Sequence, residues 1–160
     1  MKMQKVGFDR FIKVKWLDET VSIIREERDY KKIRSILDTY LIDEVKGYTT
    51  RRKAIDKLLG IWVNIPEELE DLKKEALELS KDISPGESLL IHWSMMFAAY
   101  TIFRDIASII GGIDNCQEEF TLSYVKREIF ELWGDRTTVK YAVQRILSSM
   151  VDWGTIKIGR

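Results

Sequence analysis

Apolar residues recur at helical spacing through most of this chain, and that periodicity predicts an all-α fold, a multi-helix bundle. Two further observations support the class. Only nine Gly and two Pro interrupt 160 residues, and 45% of the residues are apolar, with five Trp, six Tyr and six Phe as large core groups. Such a composition excludes a disordered, collagen-like or mucin-like chain, and the length is enough to bury a core. The sequence has no internal repeat and no low-complexity stretch.

The elements follow in order. A first helix over 16–28 aligns Leu17, Val21 and Ile24 on one face and puts Asp18 and Glu19 at its positive end. A shorter helix carries Ile33, Ile36, Leu37 and Tyr40. Residues 43–48, containing Gly47, read as a loop, after which Thr49 or Thr50 caps a third helix with Ile55, Leu58, Leu59 and Trp62 on its core face. Pro66 suits a first helical turn, and Glu67, Glu68, Glu70 and Asp71 fill that turn, so a fourth, acidic helix is expected over 66–82. Ser84, Pro85 and Gly86 break the chain before a long apolar helix over 89–110, which Gly111 and Gly112 end. A linker over 113–120 leads to two last helices.

The 89–110 run has the length of a bilayer span, but it contains His92, Arg104 and Asp105. A charge near the centre of a span costs about 2.5 to 3.5 kcal/mol, and neighbours such as Arg104 and Asp105 point about 100° apart and do not pair face to face. A buried helix of a bundle is therefore expected, without membrane contact. The N-terminal MKMQKVGFDRFIKVKWL is basic but lacks the apolar run of a secretory signal, which makes the cytoplasm the expected location.

Catalytic signatures are missing. One Cys and one His do not compose a protein zinc site, and no cofactor is implied. The sequence has no phosphate-cradling glycine loop, no paired-carboxylate spacing and no nucleophile elbow. His92 has no Ser, Cys or acidic neighbour at catalytic spacing and reads as a hydrogen-bonded core or part-exposed histidine. Arg104 and Asp105 read as structural groups reaching neighbouring helices, Met95, Met96 and Phe97 as core filling, and Cys116 as a thiol without a basic neighbour to activate it. The expected protein is not an enzyme.

Net charge is zero but segregated: +5 over residues 1–60, −8 over 61–120 and +3 over 121–160. Basic flanks around an acidic centre suggest a polyanionic partner; the alternative is an acidic helix 66–82 that is merely solvated and paired with the N-terminal part. The C-terminal stretch gives the partner a form. Thr121 can cap a helix burying Leu122, Val125, Ile129 and Leu132 or Trp133; residues 134–137 make a short turn; Asp135 or Thr137 can cap the next helix. That last helix buries Val139, Ala142, Val143, Ile146, Leu147 and Met150 and leaves Lys140, Tyr141, Gln144, Arg145 and Ser148 outside. Two helices joined by a tight glycine-containing turn are a helix-turn-helix signature. Arg145 can take guanine and Gln144 adenine through paired hydrogen bonds, with Lys140 and Tyr141 beside them, while Arg136, Thr137 and Thr138 hold phosphates. A second anion site is expected where Arg51, Arg52 and Lys53 open a helix, because a bound phosphate would reconcile three cations with the helix dipole; the alternative is a basic helix start offset by carboxylates such as Asp56.

The C-terminal part resembles the winged helix-turn-helix superfamily, whose recognition helix closes with an apolar pair, a glycine and an aliphatic residue; Met150, Val151, Trp153, Gly154 and Ile156 fit. Only residues 155–160 follow, enough for one strand, so the wing is short, absent or completed elsewhere. The whole order, with Trp16-Leu17 near a basic N-terminus, a helical middle and the closing ELWGDRT, TVKYAVQRIL and WGTI segments, is similar to the BrxA accessory proteins of BREX phage-defence systems. That resemblance implies a non-catalytic, cytoplasmic protein of prokaryotic antiviral defence that binds double-stranded DNA and meets other subunits of a defence complex. The expected organisation is an N-terminal helical subdomain over 1–65, an acidic helix plus a hydrophobic central helix over 66–112, and the helix-turn-helix over 113–160. A helical protein-interaction adaptor, docking through the acidic helix and exposed aromatics, is the rival expectation.

Overall fold

A computed structural model describes residues 5–113 and 119–157, and among them the protein is all helical, with eight α-helices and two short 3-10 helices. The chain divides into two compact units, one of Ile12–Ala99 and one formed by the residues up to Phe11 together with those from Tyr100 onward. These bounds differ from the three segments expected from sequence. Cys116 lies outside the described residues.

The Ile12–Ala99 unit contains α1 (Val14–Glu26), α2 (Tyr30–Leu41), α3 (Tyr48–Trp62), α4 (Glu70–Leu79) and α5 (Ser88–Ala99). Helix α3 packs against α1, α2 and α5, and its stripe Ile55, Leu58, Leu59 and Trp62 is buried as the spacing predicts. Leu17 and Val21 of α1, Ile33 and Leu37 of α2, and Met95 and Met96 of α5 complete the core. Ile36 and Tyr40 do not join it; Ile36 is exposed and Tyr40 half-buried. Burying each such aliphatic side chain stabilises the fold by about 1.5 to 3 kcal/mol before conformational entropy is counted.

Several ends differ from the sequence reading. Helix α1 begins two residues early, so Asp18 and Glu19 fall beyond its first turn. Asp29 caps α2 by accepting the Lys32 amide at 2.9 Å. Gly47, not a threonine, is the N-cap of α3. Pro66 precedes a 3-10 helix, Glu67–Leu69, and α4 starts only at Glu70 and ends at Leu79, short of the expected 82. Ser84 and Glu87 form a capping box over the 3-10 helix Pro85–Glu87, which runs on into α5.

The largest correction concerns 89–110. It is two helices, because Tyr100 is extended (φ −128°, ψ 104°) between α5 and α6 (Thr101–Gly111). Tyr100 belongs to the second unit, where its ring meets Phe8 edge-on at 5.4 Å and lies over Gly7. A Cβ on Gly7 would stand 2.9 Å from the Tyr100 ring, and φ is +75° there, so glycine is required twice over. Burial, with the Asp9 carboxylate nearby, pushes the Tyr100 phenol up to about 12.

In that second unit α6, α7 (Leu122–Trp133) and α8 (Thr137–Asp152) pack in sequence, α6 on α7 and α7 on α8. Phe103 stacks on Phe8 at 5.8 Å and meets Trp153 at 5.9 Å, while Val125, Ile129, Val139, Val143 and Ile146 are fully buried between the last two helices. Asp105 is structural as expected, since its Oδ2 accepts the Trp133 indole N–H at 2.8 Å. Of the alternatives at the end of α7, Trp133 is buried and Leu132 exposed; Leu122 is also exposed.

Candidate nucleic-acid interface

Helix α7 ends at Gly134, whose φ of +83° and ψ of 155° suit glycine alone, and α8 begins three residues later. Thr121 caps α7 by accepting the Tyr124 amide at 3.1 Å. Neither Asp135 nor Thr137 caps α8; its N-cap is Arg136, without a side-chain cap bond. At the far end Gly154 (φ +73°) closes α8 in a Schellman arrangement: the Thr155 amide donates to the Met150 carbonyl at 3.0 Å and the Gly154 amide to the Val151 carbonyl at 3.0 Å. The described residues that follow, to Lys157, contain no strand.

Helix α8 is sharply two-sided. Val139, Ala142, Val143, Ile146, Leu147 and Met150 are buried, and Thr137, Thr138, Lys140, Tyr141, Gln144, Arg145 and Ser148 are exposed. At 100° per residue, Thr137, Tyr141, Gln144 and Ser148 line one ridge, with Lys140 on one side and Arg145 on the other. Tyr141 stands 53% exposed near its middle. Among the described residues neither Lys140 nor Arg145 has a carboxylate partner, and both side chains can turn to an external acceptor. Arg136 is only half-exposed and donates its Nε–H to the Trp133 carbonyl at 3.2 Å, which ties it to the turn.

The second expected site is not assembled as read. Arg51 is 6% exposed and points inward; its Nε–H donates to Asp38 at 2.7 Å, and Nη1 donates to the carbonyls of Val45 at 2.9 Å and Lys46 at 3.3 Å. It closes the α2–α3 loop and is not available to a phosphate. Arg52 and Lys53 are exposed, so two of the three cations face solvent and the third does not join them. The reason was present in the sequence: position 51 is four residues before Ile55 and seven before Leu58, in phase with the buried stripe.

Sequence reasoning also missed a polar chain through the first unit. The Trp62 indole donates to His92 Nδ1 at 3.1 Å, and His92 Nε2 meets Asp18 Oδ1 at 2.7 Å. The acid partner lies 74 residues away, so no local spacing announces it. His92 is a hydrogen-bonded core histidine as expected, 2% exposed.

Comparison of the chain with protein-family models, with curated proteins and with solved structures finds no match. Among the described residues no cluster of His, Cys, Asp and Glu has the arrangement of a metal site, and no helix is long and apolar enough to cross a membrane.

Proposed function

We propose that the protein binds double-stranded DNA, without catalysis, by placing the outer face of α8 in a major groove. The observation that carries this reading is the single exposed face on which Lys140, Tyr141, Gln144 and Arg145 stand together without internal ion pairs. The three-residue, glycine-containing turn ahead of α8 suits a helix-turn-helix, and the amides at the start of α8 with Thr137, Thr138 and Arg136 suit phosphate oxygens. Arg52 and Lys53, exposed on α3 in the other unit, are a separate candidate for phosphate contact. The resemblance to the BrxA family supplies the biological setting, an accessory component of prokaryotic phage defence.

Fluorescence anisotropy with a random duplex of about 30 base pairs, at about 50 and about 200 mM salt, tests the reading. Binding should weaken steeply with salt, and the Lys140→Ala/Arg145→Ala variant should bind at least about tenfold more weakly, as the loss of two charged contacts predicts. No binding at the lower salt refutes it.

The adaptor reading has one observation in its favour. Only Ala76 of α4 is buried, and the helix presents Asp71, Glu75, Glu78 and an exposed Leu79 to solvent. A protein partner with a basic, apolar-centred groove would fit that face, and retention of the partner by a DNA-binding-defective variant separates the two roles.

A further inference from the structure

The polar chain that ends at Asp18 opens into a pocket of about 190 Å³ within the Ile12–Ala99 unit. Asp18, His92 and Ser88 form one polar part of its lining. The Trp62 indole nitrogen is only a donor, so the His92 Nδ1 it reaches must be unprotonated and the ring proton sits on Nε2, facing Asp18. The Ser88 hydroxyl hydrogen-bonds the same carboxylate. Burial raises the Asp18 pKa, but the bonds from His92 and Ser88 outweigh that and hold the carboxyl below its ordinary range. This part of the lining is thus an ionised carboxylate fixed by two neutral donors, with 39% of its side chain exposed.

Val21, Ile83 and Ile91 make the walls. The lining also holds Arg25, seven residues after Asp18 on the same helix and so about 10 Å further along its axis. Its guanidinium is oriented by Ser80: Nη2 donates to the Ser80 carbonyl at 2.8 Å and to Oγ at 2.6 Å, and Nε to Oγ at 3.2 Å. Those bonds engage Nε and Nη2, and among the described residues Nη1 has no hydrogen-bond partner. A fixed anion, an apolar wall and an oriented cation describe the complement of a particular kind of molecule. The volume suits it, being somewhat above the roughly 150 Å³ that admits a benzene-sized guest.

We propose that this pocket binds a small ω-amino acid: a primary ammonium on Asp18, an apolar methylene stem along Val21, Ile83 and Ile91, and a carboxylate at Arg25. The site is independent of the DNA-binding face and survives if that reading fails.

The probe is 6-aminohexanoate, with hexanoate as the control that lacks the ammonium. The reporter is the Trp62 indole N–H resonance in ¹H–¹⁵N spectra, assigned with Trp62→Phe, because that proton lies one residue behind the carboxylate. A saturable millimolar shift is expected with 6-aminohexanoate and none with hexanoate. Asp18→Asn keeps the size and an acceptor for His92 but removes the charge, and it should weaken binding about tenfold or more, as loss of a charge-assisted bond predicts. Arg25→Ala should also weaken it. If Asp18→Asn fails to fold, the two ligands compared on the natural protein still decide. The proposal is overturned by no saturable shift at about 10 mM, by an equal shift with hexanoate, or by binding that Asp18→Asn or Arg25→Ala leaves unchanged.

Discussion

Trp62 and His92 offer a measurement of how far a buried polar pair holds the first unit together. His92→Leu leaves the indole N–H of a fully buried Trp62 without an acceptor, which costs about 1 to 3 kcal/mol. It also removes a charge-assisted bond to Asp18, but that carboxylate is 39% exposed and regains much of the loss from water. The total is about 2 to 4 kcal/mol. Trp62→Phe leaves His92 Nδ1 without its donor and a small void beside it, together about 2 to 3 kcal/mol. The double variant has neither orphan, so its cost should fall short of the sum of the two by about 1 to 2 kcal/mol. Urea unfolding followed by circular dichroism supplies the cycle, and each kcal/mol should also move Tm by about 2 to 4 °C in a chain of this size. Costs that add to within about 0.5 kcal/mol would refute the reasoning, since independent sites behave that way.

Three further outcomes follow from the same structure. Arg51→Ala should destabilise by about 2 to 4 kcal/mol, because a buried guanidinium and its bonds to Asp38 and two loop carbonyls are lost, whereas Arg52→Ala next to it should stay within about 0.5 kcal/mol; equal effects in urea titrations would contradict the inward placement of Arg51. Gly134→Ala should cost about 1 to 3 kcal/mol through backbone strain alone, since no atom lies within 4 Å of the added Cβ, while Gly86→Ala, equally open but without a positive φ, should be neutral or slightly stabilising by thermal melts. Glu44 is held down at about 2, chiefly by the Lys15 ammonium with the Trp16 indole and Lys13 beside it, so its contribution is present above its unfolded value near 4.5 and is lost as pH falls toward 2. With a quarter of that side chain in water the effect is under about 1 kcal/mol, and Glu44→Gln should flatten the decline of stability between pH 4.5 and 2 by that amount.

The periodic elements were legible and the tertiary decisions were not. The buried stripes of α3 and α8 are legible because their apolar residues keep one phase over about two and about three turns. The break at Tyr100 could not: Ile91, Met95, Ile102 and Ile106 keep helical spacing straight through it, and what ends the helix is a ring set against Gly7 and Phe8, more than 90 residues away in the chain. The His92–Asp18 pair was hidden for the same reason. Arg51 is the opposite case, because its phase with Ile55 and Leu58 already places it inside although its residue type points to the surface.

Charge segregation bears on the salt dependence to be expected. Within residues 1–60, Lys13 and Lys15 both contact Glu44, Arg34 contacts Asp56, and Arg51 is buried on Asp38, and these four cations and three carboxylates account for only +1 of the net +5. Moving the exposed pairs to phosphate gains little, because each carboxylate left behind would face the phosphate too. On α8 and its N-cap the cations are Arg136, Lys140 and Arg145. If these alone meet the DNA backbone, the slope of log K against log salt should be near −3, at about −0.9 per phosphate neutralised. A slope steeper than about −6 would mean about seven phosphates neutralised, more than α8 and its N-cap supply, and would bring in exposed cations outside the ion pairs, such as Arg52 and Lys53.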